Sequence, residues 1–245
     1  MAKIRGAILA AGRGVRMGGA RPKTLLPVAE NESLLFYLLK GLKKSGVDDL
    51  IVVTGYGPGE IGEYVAEHWG EENLQLVFNA RYASFGNFHS VRMALDQSPG
   101  VDLLVVNSDI VVPPDVFTRV LDTAGDLVIA VERRYGLDEE DMRVRVDGTR
   151  ARSISKKLKL AHSHGEFCGV SLLRPAAAAH YADVASDVEW SGETSLYYED
   201  VYDRILGRLD ARAAEVKAGE YAEVDEPSDI DRAAAVIDRH RSVWE

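Results

Sequence analysis

Through the first half of the chain, short apolar runs alternate with polar segments of helical spacing. The runs are Ile4 to Ala10, Leu50 to Thr54, Leu74 to Phe78, Leu103 to Val106 and Leu127 to Val131, each β-branched or leucine-rich and most bounded by Gly, Asn or Asp. Continuous apolar runs of strand length predict strands buried on both faces, as in a parallel sheet. Between the first two, Ser33 to Lys44 sets Leu34, Leu35, Leu38, Leu39 and Leu42 opposite Lys40, Lys43 and Lys44, and Gly46 ends the pattern. That spacing predicts an amphipathic helix. Gly59 to His68, Phe88 to Leu95 and Pro114 to Leu121 predict three more, the last opened by two prolines. Strand alternating with helix predicts an α/β fold, a Rossmann-like and predominantly parallel sheet with helices on both faces.

From about residue 132 the pattern changes. Arg143 to Val146 and Arg152 to Ile154 alternate polar with apolar residues around Asp147-Gly148, which predicts a solvent-facing β-hairpin beside the main sheet. Gly165 to Leu173 reads as a buried strand. Pro175 to Ala185, Glu193 to Leu209 and Ser228 to His240 read as helices, with strands at Ala211 to Val216 and Tyr221 to Val224. Neither a repeat nor a long linker divides the chain, so residues 1–245 read as one domain in which approximately 132–165 form an insertion lining a cleft.

Composition narrows the function. The 245 residues are 46% hydrophobic and 28% charged, as in an ordinary globular protein. With 29 basic against 39 acidic residues the formal net charge is −10, which argues against nucleic acid as a partner; an anionic ligand has to be held locally. Cys168 is the sole cysteine, which excludes an intrachain disulfide and a cysteine-based zinc site and fits a reducing compartment. No segment approaches the ~20 apolar residues of a membrane span, and Ile4 to Ala11 is too short for an export leader. A soluble, cytoplasmic protein with no membrane partner is expected.

The richest stretch chemically is Leu9-Ala10-Ala11-Gly12-Arg13-Gly14-Val15-Arg16-Met17, followed by Pro22-Lys23. It leaves the first strand at the carboxyl edge of the sheet, where open α/β folds bind ligands. Glycines let backbone N–H groups close on phosphate oxygens, while Arg16 and Lys23 add positive charge. The dinucleotide fingerprint fails because Met17 stands where its third glycine belongs, and the P-loop fails at Gly19-Ala20-Arg21. A turn that merely joins strand to helix would not require two cations and a proline.

Complete as it stands, this motif resembles the signature of the nucleotidyltransferase superfamily, of MobA-like and sugar-nucleotide pyrophosphorylase fold, and within it the small cytidylyltransferases of the phosphocholine type and relatives acting on phosphonates. Supporting segments are Val77 to Tyr82, Asn87-Phe88-His89-Ser90, Asn107-Ser108-Asp109, Ile154-Ser155-Lys156-Lys157, Tyr197 to Tyr202 and Ala222-Glu223-Val224-Asp225. The resemblance implies direct transfer of CMP from CTP to a small phosphonate or phosphomonoester, with pyrophosphate released. Lys23 is then expected at the α-phosphate, and Arg16 with the loop amides at the β- and γ-phosphates. Asp109, just past a strand end, is expected to hold Mg²⁺ with Asp225, which the resemblance supplies. Asp229, where the last helix begins, reads as a structural aspartate.

Nucleotide recognition is expected from Leu9, Ala10, Ala11, Gly12, Arg13, Gly14, Gly55, Tyr56, Asn87, Ser90 and Ser108, although Asn79 and Asn87 read equally well as turn formers. Acceptor contacts are expected from Arg143, Lys156, His89 and Tyr198. Phosphocholine enzymes are expected to enclose the ammonium in aromatic faces, yet the insertion here reads Asp138-Glu139-Glu140-Asp141-Met142-Arg143 without tryptophan, which speaks against such a cage; Glu140 to Arg143 with Ile154 to Lys157 and Gly165-Glu166-Phe167 resemble instead the enzymes that activate small phosphonates. Of the adjacent Tyr197 and Tyr198, one belongs in the core. His162 and His164 lack a third metal ligand, and Cys168 reads as a buried small hydrophobe. A sugar-1-phosphate uridylyl- or thymidylyltransferase is the rival enzyme, and a nucleotide-binding regulatory module the rival outside catalysis. A homodimer stays open.

Overall fold

In a computed structural model that describes residues 3–18, 21–134 and 136–244, the apolar runs become strands with nearly the bounds their sequence predicts. Gly19 and Ala20, where the P-loop pattern fails, lie outside the described residues. Strand β1 (Ile4–Ala10) leads through 3₁₀ turns at Val15–Met17 and Lys23–Leu25 into a small hairpin, β2 (Pro27–Ala29) and β3 (Glu32–Ser33), and then helix α1 (Leu34–Lys44). Alternation continues through β4 (Leu50–Thr54), α2 (Pro58–Trp69), β5 (Leu74–Phe78), α3 (Phe88–Asp96), β6 (Asp102–Asn107), β7 (Ile110–Val111), α4 (Pro114–Asp122) and β8 (Leu127–Glu132). The insertion is β9 (Arg143–Asp147) and β10 (Arg150–Ile154), after which β11 (Gly165–Leu173) re-enters the sheet. Then come α5 (Pro175–Ser191), α6 (Tyr198–Ile205), β12 (Ala211–Val216), β13 (Ala222–Glu223), α7 (Ile230–Arg239) and α8 (Arg241–Trp244).

Nine strands form one sheet in the order β5-β4-β1-β6-β11-β8-β12-β10-β9. The first four are mutually parallel. Strand β11 runs antiparallel between β6 and β8, and β12 is parallel to β8. Helices crossing from strand to strand cover both faces with apolar side chains, so Ile51, Val52 and Val53, or Leu103 to Val106, have no accessible surface. Helix α1 starts where expected because the Ser33 hydroxyl accepts from the Phe36 amide at 3.1 Å. Among the described residues no helix is long and apolar enough to cross a membrane.

The insertion is more than a solvent-facing hairpin. Strand β10 continues the sheet beside β12, and β9 also pairs with the start of β11 through Gly165↔Val144 and Glu166↔Arg143. This end of the sheet therefore curls back on itself. Alternation explains the outcome, since Val144, Val146, Ala151 and Ile154 join the core while Arg145 and Arg152 face out.

Two helices differ from expectation. Helix α5 runs on to Ser191, where Gly192 closes it with φ +80°. The predicted helix from Glu193 starts at Tyr198 instead, where the Asp200 carboxylate accepts from the Tyr197 amide at 3.0 Å and caps the turn. The extended stretch between them lies against Gly86, whose amide donates to Thr194 O at 2.6 Å. A Cβ at residue 86 would stand 1.8 Å from Leu196 O, so only glycine fits.

Candidate active site

The site is built on the loop after β1 and a two-stranded ribbon that crosses the fold. Ala11 O accepts from Tyr56 N at 3.1 Å, drawing that loop against the one after β4. Gly14 takes φ +62°, and a Cβ there would lie 2.6 Å from Lys23 Cβ. The missing side chain is what lets the Lys23 stem pass over the loop. Its Nζ ends between two carboxylates, 2.9 Å from Asp109 Oδ2 and 2.8 Å from Asp225 Oδ1, with only 12% of the side chain exposed.

The ribbon brings those aspartates together from distant parts of the chain. Asp109 sits in the turn between β6 and β7; β7 pairs with β13 through Val111↔Ala222 and Ile110↔Glu223, and Val224 N donates to Asp109 O at 2.8 Å. Asp225 then follows β13 after the single residue Val224. Arg16, largely exposed, reaches Asp225 Oδ2 at 3.1 Å. Asp229 proves structural, as its Oδ2 accepts from the amides of Asp225 and Glu226, both at 2.9 Å.

A third carboxylate, which the sequence reading missed, completes the group. Oxygens of Asp109, Glu223 and Asp225 lie within 4.8 Å of one another. Its signal was present: in an extended segment, Glu223 and Asp225 share one face while Ala222 and Val224 bury the other. Burial, and then the charges of Asp109 and Asp225, push the Glu223 carboxyl up to about 8. Burial alone would lower the Lys23 ammonium, but the two aspartates outweigh it and hold it above the usual lysine value. The Asp225 carboxyl is held below its usual range by Lys23 and Arg16 in spite of burial. Asp109 Oδ1 is buried with no hydrogen-bond partner. Three clustered carboxylates, one presenting a bare buried oxygen, fit the all-oxygen preference of Mg²⁺.

A cavity of about 330 Å³ opens over this group. Of the residues expected at the nucleotide, Leu9, Ala10, Gly12, Gly14, Asn87 and Ser108 line it, together with Arg16, Lys23, Asp109 and Asp225. Others have different occupations. The Ala11 carbonyl takes the Tyr56 amide, Gly55 packs on Tyr82, and the Arg13 guanidinium lies 5.4 Å over the Tyr56 ring. Ser90 is buried, its Oγ accepting from Asn79 Nδ2 at 3.0 Å, while Asn79 Oδ1 takes the Arg81 amide as turn formers do. Thr24 and Asn107 line the cavity without having been expected there.

A second cavity of about 660 Å³ shares Arg16 and Asp225 with the first and lies between the insertion and α7. Lys156 lines it, its Nζ 3.7 Å from Glu140 and 5.9 Å over the Tyr197 ring. Arg143, expected here, is buried, and its guanidinium donates to the backbone carbonyls of Leu158, Asp138 and Lys156. It pins the insertion together from behind. On the insertion side the cavity is lined instead by Arg134, held by Glu166 at 2.6 Å, Asp141 at 2.9 Å and Glu132 at 3.5 Å. It stands two residues past the β8 run, so the strand-end rule that found Asp109 applied to it too. His89 pairs with Glu189 at 2.7 Å, and Tyr198 is fully buried with its hydroxyl donating to Asn107 Oδ1 at 2.8 Å; neither lines either of these two cavities. Tyr198 thereby orients Asn107, and Tyr197 stays exposed.

Beneath the site, Glu199 is buried with Oε2 unpartnered, and burial pushes its carboxyl from 4.5 up to about 8. A carboxyl that is harder to ionise in the folded state contributes stability at low pH and loses that contribution as pH rises from about 4.5 through 8. Glu199→Gln should therefore remove part of the decline, leaving the variant more stable than wild type at about pH 9 and no more stable near pH 5. Urea unfolding at both pH values checks this, and an unchanged difference would contradict it.

A family described as MobA-like NTP transferase domain matches residues 6–214. Choline-phosphate cytidylyltransferase of Streptococcus pneumoniae (strain ATCC BAA-255 / R6) is 25% identical over 247 residues, spanning 96% of this chain and 98% of that protein. The bifunctional protein GlmU of Psychrobacter cryohalolentis is 29% identical over 136 residues, 53% of this chain and 29% of that one. The inositol-1-phosphate CTP transferase of T. maritima shares the fold with a TM-score of 0.79 at 19% identity, covering 95% of this chain and 96% of that one. The CTP:phosphocholine cytidylyltransferase LicC of Streptococcus pneumoniae shares it with a TM-score of 0.76 at 22% identity, covering 96% and 99%.

Proposed function

Because the chain belongs to the MobA-like NTP transferase domain family, we propose that it transfers CMP from CTP to a small phosphonate or phosphomonoester and releases pyrophosphate. The observation behind this reading is the placing of Lys23 Nζ between Asp109 and Asp225 at the mouth of the glycine loop. Likeness over nearly the full length to a choline-phosphate cytidylyltransferase supports cytidylyl over other nucleotidyl groups.

An oxygen of the acceptor's phosphoryl group attacks the α-phosphorus, and the bond to the bridging oxygen of the β-phosphate breaks. Little covalent work falls to the protein, so catalysis is alignment and charge stabilisation. Asp109, Glu223 and Asp225 would hold Mg²⁺, which supplies charge neutralisation at the reacting phosphates. Lys23 stabilises the charge that builds on the α-phosphate, Arg16 holds the outgoing pyrophosphate, and the backbone of Gly12 and Gly14 closes around its oxygens. Asn87 is oriented by its Oδ1, which accepts from the Tyr198 amide at 2.8 Å, and its position on the cavity wall suits base contact.

The second cavity receives the acceptor. Nine carboxylate residues line it against five cationic ones, and Tyr221 is its sole aromatic among the described residues. An excess of carboxylates with a single tyrosine in place of an aromatic cage favours an acceptor whose far end is a hydrogen-bonding amine, with Arg134 and Lys156 available to its oxyanion. A small aminophosphonate has that chemistry. A pyrophosphate-release panel of CTP, UTP, dTTP, ATP and GTP against 2-aminoethylphosphonate, phosphocholine, phosphonoformate and sugar 1-phosphates should give its fastest turnover with CTP and 2-aminoethylphosphonate. Turnover confined to UTP or dTTP with a sugar 1-phosphate would replace this reading with the sugar-nucleotide one.

A further inference from the structure

We propose that Lys23 is the resident cation of the Asp109 and Asp225 carboxylates, and that a divalent ion binds there only once a triphosphate has drawn Lys23 away. This rests on the reading that those carboxylates hold the metal, and it concerns the order in which the site fills. Of the four oxygens on the two aspartates, Lys23 Nζ holds Asp109 Oδ2 and Asp225 Oδ1, and Arg16 holds Asp225 Oδ2. Asp109 Oδ1 alone is bare. To ligate Asp225, a magnesium ion with oxygen ligands at about 2.0–2.1 Å would have to share Oδ1 with the Lys23 ammonium 2.8 Å away or Oδ2 with the Arg16 guanidinium 3.1 Å away, and on Asp109 it would find only Oδ1 free of the ammonium. Both occupants are cations, and with the Lys23 side chain only 12% exposed their repulsion is only partly screened by water.

The way out for Lys23 is built in. Its backbone is fixed by the Lys23–Leu25 turn, but its stem lies along Gly14, and the same cavity wall carries Gly12 and Gly14, where phosphate oxygens would lie. A triphosphate entering that cavity offers Lys23 and Arg16 new anionic partners and leaves the carboxylates to the ion that comes with it. Lys23 thus acts first as a placeholder and afterwards at the reacting phosphate. The site would decline free metal ions and accept metal and nucleotide together, a positive coupling that acts equally in both directions.

Mn²⁺ alone is the probe, with binding measured by calorimetry and by its electron paramagnetic resonance signal, in the absence of acceptor. Lys23→Met should bind Mn²⁺ about tenfold or more tightly than wild type, and Asp225→Asn in that background should abolish the gain. Adding α,β-methylene-CTP, which cannot react, should tighten Mn²⁺ binding to wild type by a larger factor than to Lys23→Met. Equal or weaker Mn²⁺ binding by Lys23→Met, or a gain indifferent to Asp225, overturns the proposal. If Lys23→Met fails to give a cooperative melt, Lys23→Gln serves in its place, and a wild type whose Mn²⁺ affinity ignores the analogue overturns the proposal without any variant. No turnover enters these readouts: they can fail in an enzyme active in the pyrophosphate panel, and they can hold where that panel shows no activity.

Discussion

Lys23→Ala will turn over on the order of 10²–10³ times more slowly than wild type while binding CTP nearly as well. The reason is the burial of its ammonium at the point where three carboxylates and the glycine loop converge. No neighbouring cation can substitute, since Arg16 is 73% exposed and touches only the outer oxygen of Asp225. Arg16→Ala should show the complementary split, a weaker hold on the triphosphate with a smaller loss in kcat. Steady-state kinetics with separate measurement of CTP binding distinguishes them. Equal losses of binding and of kcat in both variants would mean that the two cations do the same work.

The second large effect is expected at the ribbon. Asp109→Asn should lower kcat by on the order of a hundredfold or more and raise the Mg²⁺ concentration needed for half-maximal rate. An amide keeps the shape and the Lys23 contact on one side, but it replaces an anionic oxygen that is buried and unpartnered. Titrating activity with Mg²⁺ at fixed CTP reads both quantities. An Asp109→Asn enzyme with wild-type metal dependence would remove Asp109 from the metal site.

Most of the sheet was legible because strands buried on both faces must be apolar throughout, and such runs are visible without knowing what covers them. Their direction is not visible: the run from Gly165 to Leu173 reads the same whether it enters the sheet parallel or, as it does, antiparallel. The glycine loop, Lys23 and Asp109 were legible from motif and strand-end position, and Asp225 from the family resemblance. Glu223 is marked by a different signal, the alternation along 222–225 that turns it to the same face as Asp225, and not by strand-end position. Arg134, for which no role was expected, stands at the cavity where Arg143 was expected, for a reason outside the sequence. The curl that pairs β9 with β11 turns Arg143 inward onto backbone carbonyls and leaves Arg134 facing the cavity. Ser90 was expected at the base because of its neighbours, but it lies in the first turn of α3 on the buried side.

The pairing of β7 with β13 has a consequence in time as well as in space. A ribosome reading this message makes the phosphate loop, Lys23 and Asp109 early, yet the opposing carboxylates at 223 and 225 emerge only after the last strand of the main sheet. A nascent chain can bury much of its sheet while its reaction centre is still in halves, so recovery of secondary structure on refolding should precede recovery of activity.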